Sequence, residues 1–213
     1  MSKIWVKVWQ RLSLWKAYAV NMKIAITGHT KGIGLALAEG FKKQGHKVIG
    51  FSRSNGYDIV NPKNVDKIIK KSADCDVFIN NAYSGNFTSV MEGFIQTDLL
   101  LKLHQLWRGQ SKKIVVIGSS LSEVYRSLHP DTEEAKYGLL MYETHKISLE
   151  HTVNELRTLS WKSPEIIHLK PGLVDTDMTK HLHFEKMNTN YVFDLCNWAI
   201  QQPHQVLDLT FAA

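Results

Sequence analysis

The sequence predicts an α/β fold: a doubly wound parallel sheet between two helical layers, forming a three-layer αβα domain. Three observations support this prediction. Short apolar runs alternate with helical patterns from residue 22 onward. These runs are continuously apolar, as expected for strands buried on both faces. The first run leads into a glycine-rich turn that opens a helix, an arrangement suited to binding phosphate.

The first half of this region contains four predicted strands. Lys23–Thr27 is a short apolar run that ends at a glycine, and apolar residues at helical spacing follow it through Phe41. Lys47–Phe51 is the second apolar run, and a short third strand is expected near Tyr57–Ile59. Further along the chain come a helix with Val65, Ile68 and Ile69 on one face, a strand at Asp76–Asn80, and a helix around Leu99–Trp107.

The second half continues the alternation. Ile114–Ile117 is an apolar strand, after which a long loop leads to a helix from roughly Tyr142 to Leu159. Ile166–Leu169 is a strand that ends at Pro171–Gly172. A helix near Tyr191–Ile200 and a last strand at Val206–Phe211 complete the pattern, which has no repeat or linker. We therefore expect residues 22–213 to form a single domain.

Composition excludes several classes of protein. Of the 213 residues, 44% are hydrophobic and only two are cysteines, which rules out collagen, low-complexity disorder and a disulfide scaffold. Cys75 and Cys196 lie far apart and have no metal-ligand spacing around them. They are expected to be buried thiols in a reducing compartment, which indicates a cytoplasmic protein.

The net charge of +6 depends on the amino-terminal segment, residues 1–21. This segment has four cations, no acid and three of the six tryptophans, and residues 22–213 keep only +2. The remaining cations are dispersed, so we expect no nucleic-acid partner. The segment resembles an interfacial membrane helix. We favour two other interpretations, a helix that docks on its own domain or translated sequence upstream of a natural start at Met22, and expect no other membrane contact.

Five ordered motifs identify a family resemblance. Thr27-Gly28-His29-Thr30-Lys31-Gly32-Ile33-Gly34 resembles the Thr-Gly-x-x-x-Gly-x-Gly fingerprint of the short-chain dehydrogenase/reductase family. The other motifs are Asn80-Asn81-Ala82 after the fourth predicted strand, Gly118-Ser119 after the fifth, Tyr142-x-x-x-Lys146, and Pro171-Gly172-Leu-Val174-Asp-Thr176. The resemblance covers residues 22–213 and implies a Rossmann-like fold that binds a nicotinamide cofactor.

The family's catalytic residues match Ser119, Tyr142 and Lys146. Tyr142 and Lys146 are four residues apart and share one face of a helix. A neighbouring ammonium favours a phenolate, so we expect Lys146 to lower the pKa of Tyr142 and Tyr142 to act as the general acid/base. Ser119 would hydrogen-bond the reacting oxygen. Ser120 is a possible substitute for Ser119.

The chain departs from the family pattern at three places. Tyr83 replaces the glycine of the family's Asn-Asn-Ala-Gly. Asp98 stands where the family has a fourth catalytic residue, an asparagine. The interval between Ser119 and Tyr142 is longer than usual, and its loop, residues 121–137, is either part of a substrate pocket or a solvated surface loop.

The cofactor is expected to be NADP(H). Enzymes that select NAD carry a carboxylate after the second strand, and this chain has Ser52, Arg53 and Ser54 there instead. Arg53 can contact a 2′-phosphate in a bidentate manner, and Lys31 is a second cation; the alternative is that both are ordinary surface charges. By resemblance, Asp58 and Ile59 would line the adenine pocket, Asn81 and Ala82 the ribose, and Val174 and Thr176 the nicotinamide end.

Three candidate functions are compatible with these motifs. The first is an NADPH-dependent oxidoreductase acting on a small carbonyl or alcohol substrate. The second is an NADP(H)-binding sensor or scaffold without turnover, which the missing asparagine favours. The third, a sugar-nucleotide epimerase, is less favoured because no carboxyl-terminal substrate domain is expected.

The remaining expectations concern ligands and assembly. His181 and His183 have no cysteine or carboxylate at metal-ligand spacing, so no metal is predicted there; with Phe184, they are candidates for substrate contact. Family members pair through the helices on either side of the fifth strand, which implies a homodimer or homotetramer.

Overall fold

The structure is a computed structural model that describes residues 21–84, 90–120, 132–160 and 163–213. The predicted amino-terminal helix lies outside the described residues, as does most of the loop between Ser119 and Tyr142.

Six parallel strands form one sheet in the order β2-β1-β3-β4-β5-β6. They are β1 (Lys23–Thr27), β2 (Lys47–Phe51), β3 (Val77–Asn80), β4 (Lys113–Ile117), β5 (Glu165–Pro171) and β6 (Asp208–Phe211). The direction of the strand order reverses between β1 and β3, so this is the switch point of the sheet. Doubly wound sheets bind ligands at such a switch point.

Helices cover both faces of the sheet. They are α1 (Gly32–Lys43), α2 (Pro62–Lys71), α3 (Val90–Gly93), α4 (Ile95–Trp107), α5 (Glu133–Ser160) and α6 (Thr189–Gln201). Apolar residues of α1 and α6 pack with one face, and those of α2, α4 and α5 pack with the other. The four inner strands are buried on both faces, which explains their largely apolar sequences, although β5 also buries His168 and Lys170. The predicted fold class is confirmed.

Local sequence signals set several helix ends. Asn61 caps α2 by accepting a hydrogen bond from the Lys63 amide at 3.0 Å, and Pro62 occupies the first helical position. Asn188 caps α6 in the same way. None of the helices that the structure describes is both long and apolar enough to cross a membrane.

Two predictions about secondary structure were wrong: the short third strand and the start of the long helix. Residues 57–59 form no strand, because their polar groups are satisfied locally: the Tyr57 amide donates to the Ser52 carbonyl at 2.9 Å, and Asp58 accepts from the Val60 amide at 3.1 Å. Helix α5 begins at Glu133, nine residues before the predicted start at Tyr142. Cys75 and Cys196 are free and buried, as expected.

Candidate active site

The glycine-rich turn brings backbone groups of β1 and α1 into close contact. Gly28 has a φ of +73°, a conformation that favours glycine. A Cβ on Gly34 would lie 2.2 Å from the Gly28 carbonyl oxygen, so no side chain fits there. The first turn of α1 has no acidic residue, and Lys31 makes no side-chain cap to it. Its amide groups therefore form a cradle that suits a phosphate.

Thr27 ties this turn to the segment after β3. Its hydroxyl accepts hydrogen bonds from the Asn81 and Ala82 amides, both at 3.0 Å, and the Asn81 side chain donates to the Thr27 carbonyl at 2.9 Å. The predicted residues Asn81 and Ala82 are thus held against the glycine-rich turn, at the switch point of the sheet.

The end of β2 presents hydroxyl groups and a cation. Ser52 is buried, and its amide donates to the Asn55 side chain at 2.8 Å, which shapes a short turn that leaves Arg53 exposed. Next to this turn, the ring of His29 lies against the backbone of Gly50, in space that a Cβ there would fill. The His29 side chain therefore packs against β2.

The Pro-Gly segment lies on the other side of the glycine-rich turn. The Gly172 amide donates to the Phe211 carbonyl at 2.7 Å, which anchors the segment to β6, and Val174 is buried. The methyl group of Thr176 faces Gly32. Lys31 lies 3.5 Å from Asp177, and both side chains are exposed, so this ion pair joins the two segments at the surface.

The other predicted cofactor residues occupy three kinds of position. Thr30 and Asp58 are at the surface or partly exposed, whereas Ile33 and Ile59 pack their side chains into the apolar core. Asn80 is fully buried and uses its side chain to bind the Gln96 carbonyl at 2.8 Å. Pro171 is buried at the end of β5, where its carbonyl accepts from the Ser120 amide at 3.0 Å.

The structure brings the three predicted catalytic residues together. Ser119 lies just beyond β4 and hydrogen-bonds the Tyr142 side chain. Lys146 is one turn further along α5, with its Nζ 5.6 Å from the centre of the Tyr142 ring. Ser120 is fully buried, so the serine at Tyr142 is Ser119.

The electrostatics of the site differ from the prediction. Burial raises the pKa of Tyr142, and the hydrogen bond from Ser119 only partly opposes this shift. Burial also lowers the pKa of Lys146 to about 7. The shift of the Tyr142 pKa is therefore opposite in direction to the lowering expected from Lys146, because burial outweighs the hydrogen bond from Ser119.

Gln96, rather than Asp98, contacts Lys146. Asp98 is exposed and pairs with Lys102 at 3.2 Å, on the outer side of α4. The Gln96 side chain is buried and accepts a hydrogen bond from the Lys146 Nζ at 2.9 Å. One sequence signal pointed to Gln96: it continues the buried helical stripe of α4, made of Gln96, Leu99, Leu100, Leu103 and Trp107.

Tyr83 and His145 were also missed as parts of the site. The Tyr83 ring packs edge-on against Tyr142, with ring centres 5.2 Å apart, and lies 5.1 Å from the Lys146 Nζ. Its hydroxyl is 2.9 Å from Nδ1 of His145. His145 is buried between Tyr83 and Phe94, in space left by Gly93.

The histidines after the Pro-Gly segment are at the surface. His181, His183 and Phe184 are all exposed. No group of three side chains suited to metal binding occurs within the described ranges.

Comparison with known proteins identifies the family of the chain. The sequence model of the NAD dependent epimerase/dehydratase family matches residues 24–162, which is more than half of the chain. The chain belongs to this family, within the short-chain dehydrogenase/reductases. The match confirms the predicted family and its general class, that of nucleotide-binding oxidoreductases with a Rossmann-like fold.

Individual relatives are more distant. The chain is 24% identical to a 3-oxoacyl-acyl-carrier-protein reductase, FabG, from Vibrio cholerae, with 76% of this chain and 77% of the relative covered. A short chain dehydrogenase from Burkholderia cenocepacia, solved with NADP, shares the fold with a TM-score of 0.71 at 18% identity, covering 88% of this chain and 87% of the other. A 3-ketoacyl-acyl-carrier-protein reductase from Brucella melitensis, solved with NADH, has a TM-score of 0.70 at 17% identity, covering 90% and 97%.

Proposed function

We propose that this protein is an NADPH-dependent oxidoreductase that interconverts a small carbonyl compound and its alcohol. One observation carries the proposal: the hydrogen-bonded pair Ser119 and Tyr142, with Lys146 one helical turn away, lies at the carboxyl edge of the sheet beside the glycine-rich turn. The relatives that are reductases, and those solved with nicotinamide cofactors, support the same reaction class.

The residues around the switch point fit a nicotinamide dinucleotide. The cradle formed by Gly28 and Gly34 would hold the pyrophosphate at the amino-terminus of α1. Asn81 and Ala82, fixed by Thr27, would contact the ribose, and Thr176 lies across the glycine-rich turn from them. When bound, the reduced cofactor supplies the hydride that a carbonyl carbon accepts.

Residues of the protein supply the proton that the carbonyl oxygen needs. A carbonyl oxygen that gains a hydride on its carbon needs one proton, and Tyr142 supplies it from its hydroxyl. Because burial raises the pKa of Tyr142, the phenol is protonated at neutral pH and ready to act as an acid. Ser119 hydrogen-bonds the same oxygen as negative charge develops on it. In the reverse direction Tyr142 must first lose its proton to accept one from the alcohol.

The proton-transfer role is tested with Tyr142→Phe and a matched control. The assay follows NADPH absorbance with a panel of aldehydes and ketones. Removing the general acid should reduce turnover by about a hundredfold to ten-thousandfold while the affinity for NADPH stays unchanged. Tyr191→Phe, on an exposed side chain of α6, should have no effect. Full activity in Tyr142→Phe would refute the mechanism.

We further propose that the protein prefers NADP(H) to NAD(H). The end of β2 offers the exposed Arg53 and no carboxylate, and Lys31 is a second cation beside the cradle. We expect NADPH to bind more tightly than NADH. Arg53→Asp should shift the ratio of the two dissociation constants at least about tenfold toward NADH. Lys43→Asp, at the far end of α1, is the charge-matched control, and equal affinity of the wild type for both cofactors would contradict the proposal.

A sensor or scaffold that binds NADP(H) without turnover is the second candidate. The observation in its favour is Tyr83, whose ring occupies the space beside both Lys146 and Tyr142 where the family has a glycine. Tight NADPH binding without turnover across the whole substrate panel would support this candidate over the reductase.

We also propose that the protein forms a homodimer or homotetramer in the cytoplasm. Exposed apolar side chains on the outer faces of α4 and α5 support pairing through these helices: Leu101, Leu106, Tyr137, Leu140 and Ile147. Ile147→Lys should shift the sedimentation coefficient to that of a monomer. Tyr191→Lys, an exposed position on α6, should leave it unchanged, and a monomeric wild type would contradict the proposal. The two free, buried cysteines support the proposed location of the protein in a reducing compartment.

A further inference from the structure

Gln96 is a buried polar side chain near the catalytic residues, and three hydrogen bonds fix its orientation. It is 3% exposed, and its Nε2 donates to two strand-end carbonyls, that of Asn80 at 2.9 Å and that of Ile117 at 3.0 Å. Two carbonyl oxygens can only be satisfied by the NH₂ end of the amide, so the Oε1 end must point the other way. That oxygen faces the Lys146 Nζ at 2.9 Å.

Lys146 is correspondingly enclosed. The side chain is 8% exposed, and its Nζ donates to Gln96 Oε1 and to the Ile117 carbonyl at 3.1 Å. Both acceptors are uncharged. The Ile117 carbonyl accepts from both side chains, so it and the Gln96 oxygen together determine where the Lys146 Nζ lies relative to Tyr142.

The titratable groups that face Lys146 are few among the described residues. Tyr83, from the segment after β3, and Tyr142, from its own helix, present their rings to the Nζ at 5.1 and 5.6 Å. His145 is next to Lys146 in α5 and binds Tyr83. Helix α3, which also packs on α5, carries Glu92, which accepts a hydrogen bond from Ser84 at 2.7 Å.

We propose that Gln96 is a positioning residue of the active site, whose uncharged side-chain oxygen holds the Lys146 Nζ beside Tyr142 and leaves the lysine without a carboxylate partner. This inference rests on the proposed catalytic role of Lys146. A carboxylate in the same place would stabilise the ammonium form, whereas the amide accepts the hydrogen bond and adds no net charge. Lys146 can then change protonation near pH 7, in line with its lowered pKa.

Two substitutions at position 96 separate positioning from a purely structural role. Gln96→Glu keeps the shape and adds a negative charge next to Lys146, so the midpoint of Lys146 titration should rise by at least about one pH unit. Gln96→Met keeps the length and removes the acceptor that favours the ammonium, so the midpoint should fall. Asp98→Asn, on the exposed side of the same helix, should leave it unchanged.

The midpoints are measured by NMR on the full chain with isotope-labelled lysine side chains, without and with NADPH, and Lys146 is assigned with Lys146→Met. Opposite shifts in the two variants support the proposal. Midpoints that match the wild type, or that move in the same direction, overturn it, because a structural role would lower thermal stability without this pattern. If Gln96→Glu does not fold, the midpoint of Gln96→Met decides alone: a fall supports positioning and no change overturns it.

Activity provides a second readout. In an active protein, the ionisation limb of the kcat–pH profile should move with the NMR midpoint in each variant, and a limb that stays in place overturns the proposal. A wild type without turnover on any carbonyl compound would instead contradict the proposed function. The NMR titration would still test the positioning of Lys146, because it requires no substrate.

Discussion

Gly34 lies where the first turn of α1 passes closest to the glycine-rich turn, and Gly34→Ala tests whether this approach is needed to bind the cofactor. The added Cβ would lie 2.2 Å from the Gly28 carbonyl oxygen and 2.6 Å from the Asn81 side-chain nitrogen. An ordinary contact begins at 3.4 Å, so the backbone must open by about 1.2 Å. The hydrogen bond from Asn81 to the Thr27 carbonyl, now 2.9 Å long, lies in the path of that movement.

Two effects should follow from Gly34→Ala. Overpacking of this kind destabilises a protein by about 1–3 kcal/mol, which thermal unfolding can measure. Displacement of the cradle should also weaken NADPH binding by more than about tenfold, equivalent to about 1.4 kcal/mol, measured by isothermal calorimetry.

Gly40→Ala is the matched control for Gly34→Ala. Its Cβ would meet the Phe193 ring, which packs on α1 within the core, so it also overpacks α1 but does so outside the glycine-rich turn. We expect it to change stability and to leave NADPH affinity unaltered. Wild-type affinity in Gly34→Ala, or an equal loss of affinity in both variants, would refute the assignment of this turn as the phosphate site.

Three further predictions concern pH and packing around β4 and β5. The hydrogen bond from His168, followed by Arg157, lowers the pKa of Asp208 to about 2, so its contribution to stability is complete above about pH 4 and is lost as the pH falls toward 2. A shift of this size corresponds to about 2.5 kcal/mol, and because the side chain is 37% exposed, solvent screening reduces it to about 1 kcal/mol. In urea unfolding, Asp208→Asn should therefore be less stable than wild type at about pH 7, and this difference in stability should shrink to a small fraction at about pH 2; an equal difference at both pH values would contradict this. The Ser119 hydrogen bond lowers the pKa of Tyr142, so Ser119→Ala should raise it and move the rise of alcohol oxidation to higher pH, whereas an unmoved pH profile would argue against the bond. A Cβ on Gly118 would lie 2.1 Å from Nε2 of the buried His168, so Gly118→Ala should cost about 1–3 kcal/mol and reduce kcat by displacing Ser119; wild-type stability and kcat would show that this packing is unimportant.

Sequence signals predicted the elements whose structure depends on local or strongly periodic patterns. The inner strands are largely apolar because both faces are covered, and the glycine-rich turn contains residues that its close packing requires. The weak pattern at Tyr57–Ile59 was misleading. The Tyr57 amide binds the Ser52 carbonyl of the preceding turn instead of a neighbouring strand, and this competition cannot be seen in a short apolar run.

In the active site, too, the sequence predicted some residues, and the packing of the fold decided others. Ser119, Tyr142 and Lys146 could be predicted because the family motifs and the helical spacing place them on one edge and one face. The position of Gln96 could not be predicted by aligning Asp98 with the family asparagine, because the alignment does not determine which face of α4 turns inward. Packing of α4 on the sheet decides that, since it buries the stripe that begins at Gln96.

The sequence alone determined that this protein has a doubly wound sheet, a glycine-rich cradle, and a serine, tyrosine and lysine in family order. Those features depend on residue type, spacing and periodicity, all of which are local. Only the tertiary structure decided the charge states and partners of the catalytic groups. Burial raises the pKa of Tyr142 and lowers that of Lys146, and both Gln96 and Tyr83 contact Lys146 only because distant segments meet at the carboxyl edge of the sheet.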